Sequence, residues 1–426
     1  MKQVNIGFLG CGNIGGGVWR LLREFEAEIA RREQLAFQVR RVLVRDVRKA
    51  RGGDVPREIL TDRPEDVLCD PDIQIVMEFM GGEEPAASYI ERALLAGKTV
   101  VTANKMALST HWAELNAAAQ KTGAGLYFEA SVCGAIPVVR ALTDSLQANR
   151  VESLMGIING TTNYILTRMA REGSAFEDVL YDAQRLGLAE PDPTADVEGY
   201  DAAYKLSILS SLAFHTHVPV EAVYREGISR VTPLDIACGQ EMGLTLKLLA
   251  VAKRSGDRVE ARVHPTFVPS THPLSSVSDA FNAVFLKGHA CGEMMFYGRG
   301  AGDMPTASAL VSDLIKAASA PRHKLPEFFG GADGVSVDND WSSVYFIRMR
   351  AQDKPGVLAK VAGCMAGHDV GIATMVQKGE PDAEGRVQLV FVTHRAHERA
   401  VRAALSEMER SGETSVRSVI HVEGIE

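Results

Sequence analysis

Between Gly187 and Lys205 the chain reads GLAEPDPTADVEGYDAAYK, a stretch that concentrates groups able to bind cations and move protons. Asp201 and Lys205 stand four residues apart, so on a helix they share a face and the carboxylate holds the ammonium in one position. An ammonium fixed in that way is an aimed proton donor. Pro191 and Pro193 fix φ and exclude helix before it, so Glu190 rides on a stiffened loop. Acids at a helix start are also favoured by the helix dipole with no function attached. Here the sequence runs on into LSILSSLAF, which sets Lys205 beside a buried face where its proton affinity can be tuned.

Other elements must bring a hydride source and a substrate to such a group. Val4 to Leu9 is short, apolar and rich in β-branched residues, and it leads through Gly10, Cys11, Gly12, Asn13, Ile14 and Gly15 into the helical pattern VWRLLREF. In this strand-turn-helix setting Gly10 makes the tight turn, Gly12 admits a pyrophosphate to the backbone, and Gly15 lets helix and strand pack closely. The second strand, QVRRVLVRD, ends in Arg45 and Asp46; an acid there takes a ribose hydroxyl and an arginine takes a 2′-phosphate. Both are present, and Arg45 with its basic neighbours tilts the expectation towards NADP over NAD. Strand IQIVMEFM, helix IERALLAGK and strand TVVTANK follow, and such alternation predicts a parallel doubly wound sheet. Ligands bind at the carboxyl ends of its strands, where Asn104 and Lys105 fall.

Further on, GLYFEASVCGAIPVVRAL pairs Glu129 with a turn whose carbonyls at Val132, Gly134 and Ile136 can converge on a hard cation; the same segment also reads as an ordinary crossover with Glu129 in a salt bridge. The strand VESLMGII then gives way to a polar turn at Asn159, Gly160, Thr161, Thr162 and Asn163. That turn suits a small polar ligand, and equally a helix cap. Two hairpin-like segments precede the turn Gly298 to Gly302 and a helix that returns the chain towards the nucleotide. Residues 323–340, rich in Pro, Gly and Asp, read as a linker. The last segment has the order β-α-β-β-α-β of a ferredoxin-like unit, and its Asp353, Lys354, Pro355 and Gly356 resemble the ACT motif, in which this loop meets a small amino acid.

The net charge of −8 argues against nucleic acid or an anionic membrane as the main partner. The cysteines are scattered, without C-x-x-C or zinc-like Cys/His spacing, and the first residues lack the marks of a signal peptide. No run reaches membrane-spanning length. A cytoplasmic protein is expected.

With these residues in view, the sequence resembles homoserine dehydrogenases that carry a C-terminal ACT domain. The likeness is most specific from Ala183 to Lys205. The resemblance implies reversible NAD(P)H-dependent reduction of L-aspartate 4-semialdehyde to L-homoserine, a step in threonine, methionine and isoleucine synthesis. It implies Lys205 as acid/base, Lys105 near nicotinamide and substrate, and Asp201 orienting. Glu190, Asp196, Asp201, Gly160 and Thr161 would bind the substrate. The cofactor would lie on Gly10, Gly12, Asn13, Ile14, Gly15, Arg45, Lys105, Gly187 and Gly302. A sodium ion would be held by Glu129, Val132, Gly134 and Ile136, mostly through carbonyls; Cys133 stands where the family often has a smaller residue. It also implies a homodimer or homotetramer and feedback by an amino acid, commonly threonine, at the ACT unit. The expected architecture is α/β: a Rossmann-type domain over 1–135 completed by about 300–322, an α+β substrate and dimerisation domain over 136–299, the linker, and an ACT domain over 341–426. Two alternatives are weaker on the residues. A thiol-dependent semialdehyde dehydrogenase using Cys133 needs a histidine base in a suitable context, and an amino-acid-sensing regulator would leave the catalytic set idle.

Overall fold

Burial along the first strand, β1 (Lys2–Leu9), changes from exposed at its start to fully buried at its end, as a strand entering the middle of a covered sheet requires. The computed structural model describes residues 1–49, 54–320, 336–337 and 340–424, and they divide by contacts into two units. The first comprises residues 1–154, 203–223 and 282–335; the second comprises 155–202, 224–281 and 336–426.

In the first unit β1 is joined by β2 (Leu35–Leu43), β3 (Leu60–Thr61), β4 (Ile75–Glu78), β5 (Thr99–Thr102) and β6 (Leu126–Tyr127) in the order β3-β2-β1-β4-β5-β6. Every pairing is parallel. Helices α1 (Asn13–Glu24), α2 (Glu26–Glu33), α3 (Glu65–Leu68), α4 (Ala86–Leu95), α5 (Lys105–Thr110), α6 (Trp112–Thr122) and α7 (Val138–Arg140) connect or follow these strands. The doubly wound sheet expected from the alternation is present. Its chain order reverses at β1, between β2 and β4, which makes the carboxyl ends of β1 and β4 the switch point at which such sheets bind ligands.

Along the chain come β7 (Val151–Ile157), α8 (Gly160–Glu172), α9 (Phe176–Arg185), α10 (Thr194–Val197) and α11 (Tyr200–Phe214). The helix expected near Tyr200 begins there, and the short α10 occupies the acidic loop between Pro193 and Gly199. Next are β8 (Tyr224–Arg225), α12 (Pro233–Glu241), the hairpin strands β9 (Leu244–Ser255) and β10 (Arg258–Pro269), then β11 (Phe281–Gly288), β12 (Gly292–Arg299) and α13 (Asp303–Ser319). In the first unit α13 packs against α1 at Gly17, where an added Cβ would come within 3.1 Å of the Ala307 side chain. Of the stretch read as a linker, only 336–337, forming β13 (Ser336–Val337), and 340 lie among the described residues.

The C-terminal segment has the expected order: β14 (Ser342–Gln352), α14 (Val357–Gly367), β15 (Ile372–Lys378), β16 (Arg386–Thr393), the two-residue β17 (Ala396–His397), α15 (Glu398–Arg410) and β18 (Thr414–Val422). Its antiparallel strands run β18-β14-β16-β15. Tyr345, Ile347, Met349, Val361, Met365, Phe391, Val401 and Met408 form a core of its own. Within the second unit β18 also pairs in parallel with the end of β10, Thr266 opposite His421 and Phe267 opposite Val422. The β9–β10 hairpin and the C-terminal module are therefore continuous in hydrogen bonding.

Candidate functional site

Three loops leave the carboxyl ends of β1, β4 and β5 in the first unit, and their residues explain how the nucleotide side is built. Gly10 has φ +97°, a conformation that penalises any side chain, while a Cβ added at Gly12 would meet nothing within 4 Å. Gly15 is pressed to 3.0 Å from the Phe79 ring, counted from where its Cβ would stand. Gly12 caps α1 without a side-chain hydrogen bond, and no acid occupies the first turn. The backbone N–H groups of Asn13, Ile14 and Gly15 thus form an anion cradle at a helix N-terminus. The residues present fit the pyrophosphate of a dinucleotide. Arg45 is exposed beyond β2, and Asp46 is engaged by the Arg48 guanidinium at 3.3 Å.

Glu78, which sequence reasoning did not single out, organises the other two loops. It is 0% exposed at the end of β4 and accepts from the Met80 N–H at 2.7 Å, the Thr102 hydroxyl at 2.5 Å and the Asn104 amide at 3.4 Å. Burial raises its carboxyl above the usual range, against the pull of those donors. Asn104 also donates to the Gly82 carbonyl at 2.7 Å and caps α5 by accepting from Ala107 N–H at 3.0 Å. Lys105, the first residue of α5, is consequently held at a fixed point on the switch-point edge. An acid breaking the apolar run IVMEFM was the available signal.

The Glu129 segment is buried. Its carboxylate accepts from the backbone N–H groups of Val139 and Arg140 at 2.9 and 2.8 Å, and Asp313 accepts the Glu129 N–H and the Arg140 guanidinium at 2.8 and 2.6 Å. Burial, then the neighbouring Asp313, pushes the Glu129 carboxyl up to about 7. Cys133 and Gly134 both have positive φ, +54° and +52°, and the Gly134 Cβ position lies 2.8 Å from the Gly300 backbone. The Ile136 carbonyl accepts from Val138 N–H at 2.8 Å. Since carbonyls keep a second lone pair, the turn fits a hard cation of low charge better than one that demands several carboxylates. Cys133 is 1% exposed, an inaccessible position for a nucleophile. Gly302, with φ +115°, caps α13.

On the second unit the polar turn and the acidic stretch meet. Asn159 caps α8, its Oδ1 accepting from Thr162 N–H at 2.9 Å, and its amide nitrogen donates to Asp196 at 2.7 Å and to Asp201 at 2.9 Å. The Thr161 hydroxyl donates to the Leu188 carbonyl at 2.9 Å, pinning the loop after Gly187 (φ +72°). Of the two readings the sequence left open, the structure shows the helix cap. Gly160 is the first residue of α8, and Glu190 is exposed on the loop. Asp201 and Lys205, 7% and 8% exposed, lie one turn apart on α11, as the spacing required. Lys247 was also missed: buried on β9, it reaches Asn163 Oδ1 at 3.3 Å and the Val277 carbonyl, and burial lowers its ammonium to about 8. On the C-terminal module Cys364, His368 and Glu407 bring ligand atoms within 4.8 Å of one another, a set split between α14 and α15 that linear spacing does not reveal. Among the described residues no helix is long and apolar enough to cross a membrane.

The first unit thus carries a cradle fit for a dinucleotide, and the second a pair of carboxylates bridged by an amide. Comparison with known proteins agrees. Residues 137–315 match the family model described as homoserine dehydrogenase, and residues 10–129 match homoserine dehydrogenase, NAD binding domain. The chain is 44% identical to the homoserine dehydrogenase of Mycobacterium tuberculosis, over 99% of this chain and 98% of that one. It is 39% identical to that of Bacillus subtilis, over 100% and 99%. Among solved structures it resembles a homoserine dehydrogenase from Thiobacillus denitrificans, with TM-score 0.92 and 42% identity over 99% of both chains. A hyperthermophilic archaeal homoserine dehydrogenase in complex with NADPH aligns with TM-score 0.64 and 26% identity, over 77% of this chain and 100% of that one.

Proposed function

The chain belongs to the homoserine dehydrogenase family, and from that premise we propose how its residues divide the work. It is an NAD(P)-dependent oxidoreductase of amino-acid biosynthesis, interconverting L-aspartate 4-semialdehyde and L-homoserine. The nicotinamide ring, when bound, supplies or accepts the hydride. Lys205 stabilises the oxygen on which negative charge develops and gives it a proton; in the oxidising direction it takes that proton back as the neutral amine. Asp201, a turn earlier on α11, orients it. Lys105 stands at the nicotinamide and substrate. Asp196, Asp201 and Glu190 receive the substrate ammonium, and the N-terminus of α8 at Gly160 and Thr161 receives its carboxylate. Gly10, Gly12, Asn13, Ile14 and Gly15 hold the pyrophosphate, Gly187 and Gly302 complete the cofactor loops, and Arg45 favours NADP.

A monovalent cation, sodium, sits on the carbonyls of Val132, Gly134 and Ile136 with Glu129, and supports the turn that abuts Gly300. The architecture divides as 1–135 with 300–322, 136–299 and 341–426, the last being an ACT unit that senses an amino acid. The working protein is a cytoplasmic homodimer or homotetramer.

The observation that supports this reading most is the pairing of a buried Lys205 with Asp201 on one helix while Asn159 ties Asp201 to Asp196. Lys205→Ala should lower kcat for homoserine oxidation by roughly 10²- to 10⁴-fold, the usual worth of a positioned acid/base. NADPH affinity, read by nucleotide fluorescence, should stay within about 2-fold, a change worth only about 0.4 kcal/mol. Near-normal turnover would remove Lys205 from the mechanism.

A further inference from the structure

The two helices of the C-terminal module bring three metal-ligand side chains to one point. Cys364 lies on α14 and His368 at its C-cap, four residues apart, so they share a face. Glu407 of α15 meets them there. Its Oε2 lies 2.8 Å from His368 Nε2, and Cys364 interacts with the same carboxylate while its Sγ donates to the Ala404 carbonyl at 3.4 Å. The ligand atoms of all three lie within 4.8 Å of one another. None of the three belongs to the catalytic or cofactor sets.

A histidine–glutamate pair needs no metal; the thiol turned towards the same carboxylate changes the chemistry. Thiol, imidazole and carboxylate together suit zinc, a borderline-soft ion that takes sulfur, nitrogen and oxygen in one tetrahedral shell. Calcium and magnesium take oxygen alone. With Zn–N and Zn–S near their usual lengths, neighbouring donor atoms of a tetrahedral shell stand about 3.3–3.6 Å apart. From the 2.8 Å pair and separations of at most 4.8 Å, side-chain rotation reaches that shell. The Glu407 side chain is 55% exposed and that of His368 29%, which leaves both room to turn. Beside them a Cβ added at Gly363 or Gly367 would meet nothing within 4 Å, so a hydrated ion can approach. Among the described residues no lysine or arginine forms a salt bridge with Glu407. Lys360, a turn before Cys364, is held by both oxygens of Glu413 at 2.8 Å, and Arg410 acts on Glu407 only through space.

We propose that Cys364, His368 and Glu407 bind one zinc ion, with water in the fourth position, and that the ion clamps α14 to α15. On binding, the Cys364 thiol passes its proton to solvent and its sulfur gives the ion an electron pair. His368 binds through the Nε2 lone pair and keeps its ring proton at Nδ1, while Glu407 exchanges the imidazole N–H for the ion. The two helices already share one apolar core, through Val361 and Met365 of α14 and Val401, Ala404 and Met408 of α15. A metal bridge on their solvent side adds a tie that exists only when the module is folded, so bound zinc stabilises it.

The test uses the full-length protein without an affinity tag, reduced and stripped of metal with a chelator. Zinc chloride is titrated calorimetrically into wild type, Cys364→Ser and His368→Gln, and cobalt(II) replaces zinc for absorption spectra. Wild type should bind one zinc per chain, and its cobalt form should show a thiolate charge-transfer band with the intense visible bands of a tetrahedral site. Each variant should weaken zinc at least about 10-fold, and Cys364→Ser should lose the thiolate band. Zinc should raise the melting temperature of wild type and leave that of Cys364→Ser unchanged. Homoserine oxidation by the metal-free variants at the wild-type rate serves as the folding control. In wild type, zinc should also shield Cys364 from iodoacetamide, read by peptide mass spectrometry, which needs no variant. A cobalt spectrum without a thiolate band, Cys364 alkylated equally with and without zinc, binding as tight in Cys364→Ser as in wild type, or zinc spread over several weak sites as an adventitious ion only would overturn the inference.

Discussion

Asn159 shows how one side chain can serve folding and chemistry together. Its carbonyl oxygen caps α8 and its amide nitrogen spans Asp196 and Asp201, so two carboxylates that would repel are held side by side. Asn159→Asp keeps the cap acceptor but replaces the bridging donor with a third negative charge. Hydrogen bonds to charged groups are worth about 1.5–3 kcal/mol, so kcat/KM for homoserine should fall by roughly 10- to 150-fold. Circular dichroism should show the helix content intact, since an acid caps as well as an amide. A wild-type kcat/KM would show that the bridge is not needed to hold the two acids.

At the scale of elements, much of the fold is legible in the sequence because hydrophobic period and glycine placement are local signals. The glycine turn after β1, the alternation that makes the parallel sheet and the β-α-β-β-α-β order of the tail follow from them. What was not legible depends on partners distant in sequence. Glu78 reads as an interruption in an apolar strand until Thr102 and Asn104 arrive beside it, and Lys247 reads as a strand lysine until Asn163 and the Val277 carbonyl do. The ion pair of Arg348 on β14 with Asp235 of α12, at 2.7 Å and nearly without solvent, belongs to the same class. Burial opposes the charge on Asp235, but hydrogen bonds from Arg348, Ser418 and Thr232 hold its carboxyl below the usual value. Arg348→Met should destabilise by about 3–5 kcal/mol, because it leaves Asp235 buried and uncompensated. The double variant Arg348→Met, Asp235→Leu should recover a large part of that loss in thermal melts. Equal losses in single and double variants would mean that packing, not charge, carries the effect.

Over the whole molecule the buried charges make acid stability predictable in sign. Glu398 at the start of α15 is 8% exposed; burial opposes its charge, but His421 at 3.3 Å, then Tyr345 and Arg402, hold its carboxyl at about 2, against 4.5 for the free group. Glu423 is held below its usual value as well: burial is outweighed by Arg262 and Lys253. A depressed carboxyl stabilises the folded state above its unfolded pKa, and that contribution is lost as pH falls through the folded value. For Glu398 the window runs from about 4.5 down to about 2, and the stabilisation lost across it is on the order of 3 kcal/mol. The melting temperature should therefore fall steeply between pH 4.5 and 2. Glu398→Gln should melt lower than wild type at pH 7 yet decline less on acidification, so that the two curves converge near pH 2. Parallel curves over that range would show that Glu398 is no more acidic when folded than when unfolded, and that the acid limb arises elsewhere.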